Sequence, residues 1–150
     1  MIKTLSIVLS VACYLSATFV ELKWLRIGLV AKCWHRLWWV LGVVAIVCHG
    51  FLLHRLIDIG GLQNLSVVNL LSMVIWLVAV FVVVVNSFKT FVSFGYVVFP
   101  VAVLSLATVT LFPGANLINT RANPTQLVHI LLSVFTASVL AIAGFHAIFL

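Results

Sequence analysis

Long apolar runs, separated by short polar segments, make up almost the whole chain. The runs are continuous, without the alternation of apolar and polar positions that is typical of a barrel strand. Each is close to the roughly twenty residues that a helix needs to cross a bilayer. Because only helices and closed barrels satisfy the backbone inside lipid, the pattern predicts transmembrane helices. Five spans are predicted, at 2–20, 37–55, 66–86, 91–112 and 125–150.

Composition supports the same interpretation. Of the 150 residues, 65% are hydrophobic and only 7% are charged, more apolar surface than one water-soluble core could hide. We therefore predict an all-α integral membrane helical bundle, forming a single transmembrane domain over 1–150 with the lipid bilayer as its surroundings.

The formal net charge of +6 mainly reports how the helices are oriented in the membrane. Between the first two spans, segment 21–36 carries four basic residues and one acidic residue, Glu21, and by the positive-inside rule it stays in the cytoplasm. The N-terminus is therefore predicted to lie outside. Four tryptophans in or next to this segment are typical of rings anchored at the headgroups, and the segment is predicted to lie along the inner interface. They are Trp24, Trp34, Trp38 and Trp39. Nucleic-acid binding is not expected.

Two histidines stand out because they fall inside predicted spans. At a rise of about 1.5 Å per residue, His129 lies roughly 6 Å from the outer end of its span and His49 roughly 9 Å from the outer end of its own. The third span has polar residues at the same depth in the membrane. They recur at every third position and so form a stripe on one helix face: Ser66, Asn69 and Ser72. The pattern predicts that both imidazoles face the interior of the bundle.

Two interpretations of these histidines remain open at this point. In the first, each imidazole bonds to a neighbouring hydroxyl, amide or carbonyl and joins helices. In the second, His49 and His129 bind one metal, and in an apolar setting without carboxylates or thiolates the candidate is haem iron. Ser66, Asn69 and Ser133 would then fix the ring tautomers as partners of the two ligands. His35, His54 and His146 are weaker candidates.

Catalytic patterns are lacking in the sequence. The two carboxylates, Glu21 and Asp58, are predicted on opposite sides of the membrane, so they cannot act as a pair. No glycine-rich phosphate loop, nucleophile motif or C-x-x-C pair is encoded. An enzyme is not expected.

Four segments carry a resemblance to a known family: "AIVCHGFLLHRLI", "GLQNLSVVNLLSMV", "FVSFGYVVFPVAVLSLATVTLFPG" and "TQLVHILLSVFTASVLAIAGFHAIFL". In this order they resemble the YpjD inner-membrane proteins, within the cytochrome c assembly superfamily of CcsA-like, CcmC-like and HemX-like proteins. The most specific elements are H-I-x-L-S at His129 and N-L-S at Asn64. The resemblance implies a bacterial inner membrane and haem handling on the way to apocytochrome c, with His49 and His129 at the family's histidine positions.

The chain departs from the family in two respects. It has no tryptophan-rich W-W-D haem-binding segment, and it stops at Leu150 inside an apolar run. Members of the family continue through further helices that contain another histidine. We therefore expect the N-terminal portion of a longer family member, with haem, other cytochrome-assembly membrane proteins or the missing C-terminal helices as partners.

Two other functions fit the same residues. In an ion-transport or metal-tolerance component, the layer of His, Asn and Ser side chains would line a cation path, although no carboxylate is predicted within the membrane. In a structural membrane subunit, the layer would only order the helices.

The predicted orientation can be tested with a reporter enzyme that is active only in the periplasm. Because segment 21–36 is basic and stays inside, fusion after Gly114 should give activity and fusion after Lys32 should not. Activity would be measured in cells that express equal amounts of each fusion. Activity only after Lys32 would invert the topology.

Overall fold

The computed structural model describes residues 2–27, 32–88, 94–119 and 124–148. Within these ranges it contains five α-helices, and the predicted all-α bundle is confirmed. The helices are α1 (Ile2–Ile27), α2 (Lys32–Ile57), α3 (Val67–Phe88), α4 (Gly95–Leu111) and α5 (Pro124–Ile148).

Four of the five described helices are long and apolar enough to cross a membrane. The exception is α4, which has 17 residues and contains Pro100. The predicted span of 91–112 includes Phe94 and Phe112, which flank the helix and do not belong to it. Residues 91–93 of that span lie outside the described part of the chain. Residues 149 and 150, at the end of the fifth predicted span, also lie outside it.

The core lies among α1, α2, α3 and α4. Helix α1 packs against α2 and α4, and α3 packs against α2, α4 and α5. One fully buried alanine on each of these four helices lets the backbones approach closely, as is common where helices meet in membranes. They are Ala17, Ala45, Ala79 and Ala102. Aromatic rings fill the space between, with Phe99 packed 5.3 Å from Tyr14 and 5.5 Å from Trp38, centroid to centroid.

Helix α5 lies at the edge of the bundle. Its buried residues are Val134 and Ser138, and in its most apolar stretch only 11% of the residues are buried, against 28–39% for the other three long helices. Apart from the side that packs on α3 and the contact of His146 with Phe94, most of its surface is exposed in the described structure.

A small antiparallel sheet, formed by residues that lie between the predicted spans, covers one end of the bundle. It is formed by β1 (Asp58–Ile59), β2 (Leu62–Asn64) and β3 (Leu117–Ile118), in that order. Gly60 and Gly61 turn the β1–β2 hairpin with φ of 59° and 88°, a conformation that glycine adopts without strain. We call this end of the bundle the hairpin end.

The side chain of Asn64 links the β1–β2 hairpin to the segment that leads into β3. Its side chain donates to the Gly114 carbonyl over 2.9 Å and accepts from the Asn116 backbone N–H over 2.9 Å. The two connections that join α2 to α3 and α4 to α5 are therefore held as one unit, although 52 residues separate Asn64 from Asn116.

At the opposite end, Glu21 and Trp38 lie inside the bundle, so the interfacial prediction is wrong for these two residues. Helix α1 continues to Ile27 and α2 begins at Lys32. Glu21 is 1% exposed and accepts a 2.9 Å hydrogen bond from Nε1 of Trp38, itself 1% exposed and not an interfacial anchor. The backbone N–H groups of Gly95 and Tyr96 also donate to the carboxylate, which caps the start of α4.

Gly95→Ala should destabilise the protein because a Cβ at this position overlaps the Glu21 carboxylate and lies 2.8 Å from Cζ2 of Trp38. We expect the free energy of unfolding to fall by about 2 kcal/mol. The measurement is a denaturant titration in detergent followed by circular dichroism. Gly144→Ala is the matched control, since nothing lies within 4 Å of its Cβ position, and it should cost no stability. Equal stabilities for the two variants would contradict the capping role of Glu21.

Candidate functional site

His49 is the centre of a buried polar cluster in the described structure. It lies on α2 with 0% of its surface exposed. Its Nδ1 is 3.3 Å from the Tyr14 hydroxyl of α1, and its Nε2 is 3.1 Å from the Ser72 hydroxyl of α3. A neutral imidazole has one donor and one acceptor nitrogen, and a hydroxyl can serve as either, so both nitrogens are satisfied in either tautomer.

The cluster extends to the fourth helix. The Ser72 hydroxyl lies 3.4 Å from that of Ser105 on α4, and Ser105 donates to the Ala102 carbonyl over 2.8 Å. We call Tyr14, His49, Ser72 and Ser105 the His49 network. It contains one residue from each of four helices and runs across the bundle.

The other residues of the predicted polar stripe have different roles. Ser66 precedes α3, and its hydroxyl accepts from the Asn69 backbone N–H over 3.4 Å, at the first turn of the helix. The Asn69 side chain donates to the Asn64 carbonyl over 2.9 Å and holds the hairpin end. Of the three residues in the stripe, only Ser72 hydrogen bonds to His49.

His129 lies in a contrasting environment. It is exposed on α5, and no hydrogen-bond partner for its ring lies within the described residues. Ser133, predicted to fix its tautomer, instead donates to the His129 backbone carbonyl over 2.8 Å. The structure therefore does not bring His49 and His129 together: one ring is enclosed among α1, α2 and α3, and the other is on the open side of α5.

The positions of the two rings show whether they could bind one haem iron together. A porphyrin held between two imidazoles needs both rings to face a common space, but His49 is enclosed and both its nitrogens lie beside hydroxyls. The pair as arranged here does not fit one haem. His49 fits the helix-joining interpretation, and His129 offers one imidazole that has no hydrogen-bond partner among the described residues.

The surface of α5 below His129 is apolar. Thr136 and Ala143 follow His129 at intervals of seven residues and share its helix face. They also line a shallow depression of about 300 Å³, together with Phe135, Val139 and Leu140. The exposed imidazole therefore lies at one end of an apolar strip that faces away from the bundle.

The weaker histidine candidates are dispersed over the fold. His35 lies 3.2 Å from the Asn86 carbonyl and stacks on Trp38, while His146 packs edge-on against Phe94. His54 lines a cavity at the hairpin end. No group of three or more His, Cys, Asp or Glu side chains within the described ranges could hold a metal ion.

Sequence reasoning missed the polar face of α1. Four buried polar side chains recur there at intervals of four, four and three residues, which places them on one helix face. They are Ser10, Tyr14, Thr18 and Glu21. The signal was present, since polar side chains inside an apolar span at helical spacing need partners on a neighbouring helix.

Tyr14→Phe should destabilise the bundle because it leaves one nitrogen of the buried His49 ring without a partner. We expect a loss of about 1 kcal/mol in the free energy of unfolding, measured in detergent by denaturant titration. Ser133→Ala is the control, since its hydroxyl is exposed and bonds only within its own helix. If both variants unfold at the same denaturant concentration, the His49 network does not stabilise the fold.

Comparison with known proteins gives one set of relatives. Over 117 residues, 77% of the chain, the sequence is 33% identical to the inner membrane protein YpjD of Escherichia coli K12. The YpjD proteins of E. coli O6:H1 and O157:H7 match to the same extent. The match takes in 44% of each relative, so the chain spans about half the length of these proteins.

No family model matches the chain, and no solved structure matches it. The relatives and the helices nevertheless agree on the class of protein. With four described helices long and apolar enough to cross a bilayer, the chain is a multi-pass inner-membrane protein similar to YpjD.

Proposed function

We propose that this chain belongs to the cytochrome c assembly superfamily and handles haem at the outer face of the inner membrane. In this proposal His129 is the haem-binding residue, and His49 is a structural residue that joins helices. Two observations support it: the resemblance of the segment around His129 to the family's H-I-x-L-S helix, and the exposed, unpartnered imidazole that this residue presents among the described residues.

The exposure of His129 is the observation that carries the proposal. It lies five residues after Pro124, the first residue of α5, and therefore about 7.5 Å along the helix axis. A polar ring at this depth is costly unless it finds a partner or reaches the interface. Haem iron is a partner that suits a neutral imidazole, and the apolar strip below His129 suits the face of a porphyrin.

A single protein ligand is sufficient for this role. Haem proteins with one proximal histidine hold the cofactor through that bond and through apolar contacts with the macrocycle. The separation of His49 from His129 therefore removes the predicted pair of ligands from the proposal but leaves haem handling in it. Haem supplies the iron that the imidazole binds, and the protein supplies the ligand and the apolar surface.

The rival functions account for fewer of these features. A cation path would require polar groups that are free to coordinate a passing ion, whereas every buried side-chain nitrogen and oxygen of the described residues has a hydrogen-bond partner. The polar face of α1 and the His49 network are both paired within the protein. A purely structural subunit accounts for His49 but leaves the exposed ring of His129 without a role.

The visible absorption spectrum tests the proposal. The full chain, purified in detergent, would be titrated with haemin, and a Soret band shifted from that of free haemin should appear with a stoichiometry near one. His129→Ala should abolish the shift because it removes the imidazole. His49→Gln should keep the shift, although its thermal stability should fall.

His54→Ala is the matched control, since it also removes an exposed histidine but lies on α2 instead of α5. It should bind haemin as the unaltered protein does. Spectra that are equally weak for the unaltered protein and for every variant would reject haem binding. Loss of the band in His49→Gln, with His129→Ala unaffected, would reject the assignment of His129.

A further inference from the structure

A cavity at the hairpin end combines an apolar wall with polar side chains. It has a volume of about 320 Å³ and lies between the last turns of α2, the β1–β2 hairpin and the first turns of α3. Its apolar wall includes Leu53, Met73 and Trp76, and its polar lining is His54, Asp58 and Gln63. It is separate from the His129 face of α5.

The polar side chains of this cavity have no partners of their own. Within the described residues, the side chains of His54, Asp58 and Gln63 make no hydrogen bond or ion pair. Asp58 and Gln63 are directly opposite each other in the β1–β2 hairpin, so both are held by the backbone at the cavity. Three polar groups without partners, at a fixed place beside an apolar wall, are typical of a site for an amphipathic ligand.

An apolar groove continues from the cavity towards the middle of the bundle. It also contains Gly50 and Trp76, and its further lining is Ile46, Val47, Phe51 and Val80. Helix α2 runs towards the hairpin end and α3 away from it, so Ile46, Val47 and Val80 lie deeper in the membrane than His54 and Asp58.

Gly50 and Trp76 shape the junction of the cavity and the groove. The Trp76 indole donates to the Ile46 carbonyl over 2.8 Å, which fixes the ring beside α2. A Cβ at position 50 would lie 2.9 Å from Cζ2 of Trp76, so only glycine leaves the ring in this place. The polar cavity and the apolar groove therefore adjoin at Gly50 and Trp76, with the polar lining at the hairpin end and the apolar lining below it.

We propose that the surface of the cavity and the groove binds one phospholipid with a primary-amine headgroup. The ammonium group pairs with Asp58, His54 and Gln63 bind the phosphate and ester oxygens, and one acyl chain lies along Ile46, Val47 and Val80. The polarity of the surface changes along the membrane normal as that of a lipid does, and its charge selects the headgroup.

Charge complementarity separates this ligand from others. Asp58 is the acidic residue among those that line the cavity, and no Lys or Arg of the described ranges lines it. An anionic headgroup, or the two carboxylates of haem, would face that carboxylate without compensation. The lipid site is therefore independent of the haem-handling proposal, and either can fail without the other.

Native mass spectrometry of the full chain in detergent tests the proposal, with dioleoyl phosphatidylethanolamine and dioleoyl phosphatidylglycerol as probes. The two lipids share acyl chains and differ in headgroup charge. We expect one bound phosphatidylethanolamine, with phosphatidylglycerol binding more weakly. Asp58→Asn should lower the affinity for phosphatidylethanolamine by about fivefold because the ion pair is lost. Val47→Trp, which fills the groove at an exposed position, should lower binding of both lipids.

Matched controls make the result specific. Gln126→Lys changes the net charge by the same amount as Asp58→Asn at an exposed position outside the cavity, and Val8→Trp adds the same bulk on an exposed face of α1. Both should bind phosphatidylethanolamine as the unaltered protein does. Tighter binding of phosphatidylglycerol, unchanged affinity in Asp58→Asn, or a dimer in which neither lipid binds would each overturn the proposal.

Discussion

A polar group inside a membrane-spanning helix must find its hydrogen-bond partner within the protein, because the hydrocarbon offers none. This constraint holds α1 and α2 together. Ser10 donates to the Ala45 carbonyl, the Tyr14 hydroxyl lies beside His49, and Trp38 donates to Glu21. Every buried side-chain nitrogen and oxygen of the described residues has a hydrogen-bond partner. The apolar bundle can therefore contain the Glu21 carboxylate and the His49 imidazole.

The same constraint gives two histidines different roles. His49 is enclosed among three helices, and its nitrogens are matched by hydroxyls that fix the ring. His129 has the same chemistry, but it lies on a helix that the bundle covers on one side only. An enclosed and satisfied imidazole stabilises packing, whereas an exposed and unpartnered one is available to a ligand. The haem proposal therefore depends on His129.

The two proposed binding surfaces lie on different helices and recognise their ligands through different interactions. The face of α5 joins an imidazole to an apolar strip, which suits a flat metal-containing macrocycle. The surface between α2 and α3 joins a carboxylate to an apolar groove, which suits a zwitterionic headgroup that presents an ammonium group, with an acyl chain below it.

Residue order by itself determined that the chain is a bundle of apolar helices, because the length and continuity of the apolar runs leave few other ways to satisfy the backbone in lipid. It also identified His49 and His129 as residues that need an explanation. It misjudged Glu21 and Trp38 as interfacial, and it missed Tyr14, Ser105 and the three-stranded sheet. Depth along a helix can be counted from the sequence, but the direction in which a side chain points depends on which helices pack together. The packing of the helices is what places His49 against two neighbouring helices, α1 and α3, and leaves His129 on the exposed side of α5.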